Sequence, residues 1–221
     1  MLKKIYLWLY RKTASVGGEA EYSSGPWQNA IRQEALGLCG DVGAGRAIEI
    51  GCGRGYFLTE LAARNRSAEV WGIDHDGKVL AEARRRSEEL SLTNIHFSLQ
   101  DVMRLSFSEE SFDAVICINL LLALPSLDVV TAYLRNMKRI CKKSGYLLFD
   151  YRNSLNPLIR LKYKLVPYYD RTLKDVKLTA HDPRQIARIL EDLRLDIVTT
   201  KYWGFPARRF APVIIVKARK R

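Results

Sequence analysis

No apolar run in the sequence approaches the ~20 residues that cross a bilayer as a helix. The longest, residues 116–125, is interrupted by Asn119. Cysteine and histidine are scarce. Cys39, Cys52, Cys117 and Cys141 show no CxxC spacing, which argues against a disulfide scaffold and points to buried thiols in a reducing cytoplasm. Of the three histidines, His75, His96 and His181, none are four residues apart, so a zinc site is not expected and no metal is assigned. Internal repeats and low-complexity stretches are missing, and no GK[ST] triplet marks a P-loop. A secretory signal is not expected either. The apolar core of the first segment, residues 5–10, is half Tyr and Trp.

What the chain does have is a core and a lopsided charge. Its 221 residues are 48% apolar, enough for one α/β domain. The net charge is +12. Residues 151–221 alone hold 17 basic and 6 acidic side chains, so +11 of it lies in the last third. Such a surface attracts phosphate-bearing or other anionic partners, or serves only solubility.

Residues 1–26 read as an amphipathic helix and a Gly/Ser loop. Leu2, Ile5, Tyr6 and Leu9 share a face flanked by Lys3, Lys4, Arg11 and Lys12. This helix is expected to dock on the domain or cap its site, with a membrane surface as the other reading. Residues 27–221 read as a single domain. Helices are expected over 27–39, 56–64, 78–90, 127–142 and 183–193. Strands are expected over 47–50, 69–74, 94–99, 112–119, 146–150, 195–202 and 212–219. Residues 151–182 read as an irregular or partly helical basic insertion. Apolar strands alternating with helices imply a doubly wound, mostly parallel sheet, with ligands at the carboxyl ends of its strands.

The stretch 47–57 organises the chain. A buried strand breaks into Gly51-Cys52-Gly53-Arg54-Gly55 and enters a helix. Such a turn admits a ligand close to backbone and leaves helix-start N–H groups to face it. A dinucleotide fingerprint would carry its third glycine one residue later, where Tyr56 stands. Glu49, two residues before the first glycine, would repel a pyrophosphate and suits a cationic or ammonium-bearing ligand. Asp74 ends the next strand, where an acid accepts from ribose hydroxyls. Asp101 follows the third strand and can accept from an exocyclic amine.

With these residues in place, the chain resembles the class I S-adenosylmethionine (SAM)-dependent methyltransferases. Glu49-Ile50-Gly51-Cys52-Gly53-Arg54-Gly55 is similar to their first motif, Asp74 to their ribose acid, and Gln100-Asp101-Val102 to their adenine-edge motif. Residues 112–119 and 134–149 are similar to their fourth strand and helix–Gly–strand segment. The resemblance implies a Rossmann-like seven-stranded sheet with an antiparallel last strand and SAM as methyl donor. It also implies roles. Backbone at Gly51, Cys52 and Gly53 approaches the methionine moiety and sugar, and Asp74 holds the ribose. Asp101 and Val102 read the adenine, which His75 borders. Asn119 approaches the methionine end.

The acceptor is less legible. Asn119-Leu120-Leu121-Leu122 lacks the Pro-Pro-aromatic run of amine-methylating nucleic-acid enzymes and the histidine of many small-molecule members. No catalytic residue is assigned. Tyr151 and His181 are weighed as bases, but a lone His before a helix reads as a surface or capping residue. The expected function is methyl transfer to oxygen or carbon of a small molecule, with phosphorylated or lipid-linked acceptors among the classes left open. An RNA methyltransferase and a non-catalytic SAM-binding module are the alternatives. The expected location is the cytoplasm, with peripheral contact at the inner membrane face left open.

Overall fold

A computed structural model of the chain describes residues 26–165 and 178–221. The amphipathic segment expected over residues 1–12, and the middle of the basic insertion, lie outside the described residues. The elements in chain order are α1 (Pro26–Cys39), β1 (Arg46–Ile50), α2 (Tyr56–Arg64), β2 (Glu69–Asp74), α3 (Gly77–Glu89), β3 (Ile95–Leu99) and β4 (Phe112–Cys117). Then follow α4 (Leu127–Ile140), β5 (Cys141–Arg152), α5 (Pro157–Leu165), α6 (Pro183–Asp192), β6 (Leu195–Trp203) and β7 (Val213–Lys220).

The seven strands form one sheet in the order β3-β2-β1-β4-β5-β7-β6. Neighbours are parallel except at β7, which runs against both β5 and β6. The antiparallel last strand is therefore as expected. The order reverses between β1 and β4, so the crevice at their carboxyl ends is where a ligand finds room.

Strand alternation sorts side chains into two layers. Ile48 and Ile50 of β1 join a core with Val130, Leu134 and Met137 of α4 and Ile186 and Leu190 of α6. Ala47 faces the other way, into a core with Ile31 and Ala35 of α1 and Phe57, Leu58 and Leu61 of α2. By the same period, Glu49 faces the α1 and α2 side. A carboxylate in that apolar layer costs stability unless it is paired and hydrogen-bonded.

The structure corrects two expectations near β5. The helix expected to reach residue 142 ends at Ile140, and β5 starts at once with Cys141. A register shift between Phe112 and Ala114 lets it pair that early. Gly145 is required there, because a Cβ would lie 2.6 Å from the Asp113 carbonyl oxygen. The segment read as irregular from residue 151 begins in order. β5 continues to Arg152, Asn153 bridges His181, and α5 follows.

All four cysteines are buried and free. Among the described residues, no helix is long and apolar enough to cross a membrane.

Candidate functional site

The glycine turn is held by protein, not left open. The N–H groups of Gly51 and Cys52 both donate to the Ile73 carbonyl, at 2.8 and 3.0 Å. The Gly53 N–H donates to Asp74 Oδ2 at 2.9 Å, and the Gly55 N–H to the Cys52 carbonyl at 2.9 Å. The helix-start N–H groups expected to face a ligand begin at Tyr56 of α2, and the four turn N–H groups before them are spent within the protein. β2 consumes three of them, so recognition falls to side chains and to close approach.

Gly51 provides that approach. Its φ of +71° is left-handed, and a Cβ there would lie 2.7 Å from Leu120 Cδ2. It forms a ridge between two cavities. The first, about 320 Å³, is lined by Ile50, Gly51, Asp74, His75, Asp101, Val102, Leu120, Leu124 and Tyr133. The second, about 190 Å³, is lined by Gln28, Arg32, Glu49, Gly51, Cys52, Gly53, Tyr56 and Asn119.

In the first cavity Asp74 is pinned on both oxygens. Oδ2 takes the Gly53 N–H, and Oδ1 takes the Asp76 N–H at 3.1 Å with His75 Nδ1 at 3.3 Å. The His75 ring is 84% exposed and sits at the rim. Asp101 has two roles at once. It lines the cavity and its Oδ1 caps the short 3-10 turn Val102–Arg104 through the Met103 N–H at 2.8 Å. Val102 beside it is buried.

The second cavity has a different character. Glu49 is only 3% exposed. Its Oε2 has no hydrogen-bond partner among the described residues. Burial pushes its pKa well above the ordinary value; Asp74 adds to the rise and Arg32 opposes it. Arg32 is itself buried, which lowers its pKa, and its guanidinium lies 5.0 Å from the Tyr56 ring centre. The thiol of Cys52 is pushed up by burial, then by Glu49 and Asp74, and stays protonated.

Asn119 closes this cavity from the turn after β4, which ends at Cys117 and not at the expected residue 119. It is left-handed, with φ +59°. Its N–H donates to Asp150 Oδ1 at 2.5 Å, and Arg152 donates to its Oδ1 at 2.8 Å and to Asp150 Oδ2 at 2.5 Å. Its Nδ2 has no partner among the described residues. The cavity therefore contains an orphaned acceptor, Glu49 Oε2, and an orphaned donor, Asn119 Nδ2.

A third, small hollow adjoins. Trp27, Gln28, Arg152, Lys162 and Tyr163 line it, and Gln28 is shared with the second cavity. Trp27 Nε1 is a buried donor without a partner among the described residues.

His181 corrects the surface reading given to it. It is 3% exposed, and its Nε2 lies 3.1 Å from the Leu121 carbonyl, so Nε2 carries the proton and donates. Its N–H donates to the Arg152 carbonyl at 2.7 Å. Burial lowers its pKa, and it lines none of the three cavities described above. Tyr151 is likewise buried, with its phenol pushed up by burial. Both are clamps in the fold.

Sequence reading therefore brought Glu49, Gly51, Cys52, Gly53, Asp74, His75, Asp101, Val102 and Asn119 to one crevice. It missed Gln28, Arg32, Leu120 and Tyr133. Gln28 and Arg32 are four apart in α1, at the edge of its apolar stripe, and that spacing was the available signal.

Comparison with known proteins identifies the family. A family model described as a methyltransferase domain matches residues 42–202. A phosphatidylethanolamine N-methyltransferase of Cereibacter sphaeroides is 30% identical over 157 residues, covering 70% of this chain and 71% of the relative. A ubiquinone biosynthesis O-methyltransferase of Neisseria meningitidis is 29% identical over 180 residues, covering 78% and 73%. The magnesium protoporphyrin IX methyltransferase of Synechocystis PCC 6803, solved with bound SAH, superposes with a TM-score of 0.69 at 22% identity, covering 88% of this chain and 84% of that one. On this evidence the chain belongs to the methyltransferase domain family and is a class I SAM-dependent methyltransferase.

Proposed function

We propose that the chain transfers a methyl group from SAM to an oxygen or carbon of a small acceptor carrying an anionic group. The donor fits the residues present. Glu49 Oε2 is a buried acceptor in need of a donor, and an amino-acid ammonium supplies one. Asn119 Nδ2 and the Arg32 guanidinium line the same cavity and suit a carboxylate. Across the Gly51 ridge, Asp74 accepts from ribose hydroxyls, while Asp101 and the Val102 backbone meet an adenine edge. Leu120, Leu124 and Tyr133 cover its faces.

When bound, SAM supplies an electrophilic methyl on a sulfonium. The chain's own work is alignment and exclusion of water. The left-handed Asn119, fixed by Asp150 and Arg152, sets the wall where an acceptor approaches. Fixing it in advance removes an ordering cost from the reaction.

The observation that carries the acceptor reading is the basic last third of the chain, part of which borders the small hollow at Gln28. That hollow adjoins the second cavity at Gln28, and its wall draws on the stretch 151–221, which holds 17 basic and 6 acidic side chains and so favours an anionic acceptor. An acceptor whose attacking atom is itself the anion has no proton to lose and needs no strong base. The relatives named above include both nitrogen and oxygen methylation, so the acceptor atom rests on the chain itself. Its Asn119-Leu120-Leu121-Leu122 run carries no acid to receive a proton from an ammonium.

Incubation of purified protein with methyl-labelled SAM, total cellular small molecules and RNA tests this. Label is expected in small acidic compounds, with release of S-adenosylhomocysteine. Label confined to RNA or to neutral amines overturns the reading.

A further inference from the structure

We infer that α5 and the loop before β7 form one surface that docks on an anionic lipid interface. This goes beyond methyl transfer and does not depend on the acceptor. Phe205 is 81% exposed, and Leu158, Leu161 and Phe210 are also exposed. Large apolar side chains grouped on one surface mark an interaction site.

The two segments are welded into a single platform. Asn153 and Asn156 are fully buried. Asn153 Nδ2 donates to the carbonyls of Arg209 and Ala211 at 2.8 and 2.9 Å, and Asn156 Nδ2 donates to that of Phe210 at 2.7 Å. Leu158 therefore follows directly on a turn fixed to the loop that carries Phe210.

The charge chooses the partner. Arg160, Lys164, Arg208 and Arg209 are exposed among these apolar groups. Residues 152–165 and 201–213 contain no Asp or Glu. Leucine and phenylalanine interleaved with exposed Arg and Lys suit the boundary of an acyl layer and anionic headgroups. Nucleic acid would use the cations but leave exposed leucines without a role.

The helix is two-faced. Ile159 is buried, and Lys162 and Tyr163 line the hollow beside the site, while Leu158 and Leu161 face outward. Docking thus presents the acceptor end of the crevice close to the interface.

Flotation of the full-length chain with phosphatidylcholine vesicles, and with vesicles containing phosphatidylglycerol, tests this. The protein is expected to bind the anionic vesicles several-fold better and to lose that preference in high salt. Leu158→Ser combined with Phe205→Ser is expected to weaken vesicle binding about tenfold or more. Unchanged circular dichroism and SAM affinity in that variant show that the fold and the donor site survive. Failure to bind any vesicle, equal binding to both kinds, or binding retained by the variant would overturn the inference. None of those outcomes bears on SAM binding.

Discussion

The Gly53 N–H donates to Asp74 Oδ2 at 2.9 Å, so the acid that ends β2 also fixes the turn that ends β1. One carboxylate sets the shape of the turn and lines the first cavity. Asp74→Ala is expected to weaken SAM binding by about 1–3 kcal/mol through loss of charge-assisted hydrogen bonds. It is also expected to lower the melting temperature, because the Gly53 and Asp76 N–H groups lose their acceptor. Calorimetric titration and thermal denaturation read the two effects separately. Unchanged affinity would sink the ribose role.

Gly51 is the second lever. Alanine there adds strain of about 1–2 kcal/mol from the left-handed backbone. Its Cβ also meets Leu120 at 2.7 Å, on the ridge between the cavities. Gly51→Ala is expected to bind SAM more weakly than Gly53→Ala, where the added Cβ meets nothing within 4 Å. Comparable losses in the two variants would show that the ridge has no special part.

Burial of Glu49 gives stability a definite pH slope. Its pKa is raised in the fold above the ordinary 4.5, mainly by burial. Between those values the native state holds more protons than the unfolded chain, so stability falls as pH rises through that window. Glu49→Gln is expected to remove the slope and to be more stable than the native sequence at neutral pH. Urea denaturation at several pH values checks this, and a variant less stable at every pH would contradict it.

His181 slopes the other way. Its pKa is lowered in the fold from 6.5 by burial. Its contribution is present above 6.5 and is lost as pH falls toward the lowered value, because the unfolded chain then binds the extra proton. His181→Gln is expected to flatten this part of the stability curve, with Gln retaining a donor for the Leu121 carbonyl.

The Asp150–Arg152 pair is buried, at 1% and 4% side-chain exposure. Removing the acid leaves a guanidinium short of its counter-charge, and Asp150→Ala is expected to cost about 3–5 kcal/mol. It should also release Asn119, whose N–H loses its acceptor. Denaturant unfolding measures the first effect, and loss of turnover at saturating SAM the second.

The parallel sheet and the donor half of the crevice were legible in the sequence for a shared reason. Buried strands, glycines and strand-end acids are local signals, and period-two alternation in Ala47-Ile48-Glu49-Ile50 places Glu49 opposite the Ile48 face. What was illegible depends on distant chain. Arg32 reads as one more helix arginine until β1 brings Glu49 beneath α1. The early start of β5 depends on a register shift against Phe112 and Ala114. His181 reads as a cap because nothing local shows that the Leu121 carbonyl lies above it. That the turn N–H groups are spent is likewise hidden, because their acceptors, Ile73 and Asp74, belong to the next strand.

Glu49 also decides the central claim, that SAM spans the Gly51 ridge with its ammonium on this carboxylate. The direct test is calorimetric titration of SAM into the native chain and into Glu49→Gln, in two buffers of different ionisation enthalpy. The native chain is expected to bind one equivalent and to release a proton as Glu49 ionises against the ligand. Glu49→Gln is expected to bind about tenfold or more weakly, the scale of one charge-assisted hydrogen bond, and to release no proton. Equal affinity and equal proton release in the two proteins would contradict the account.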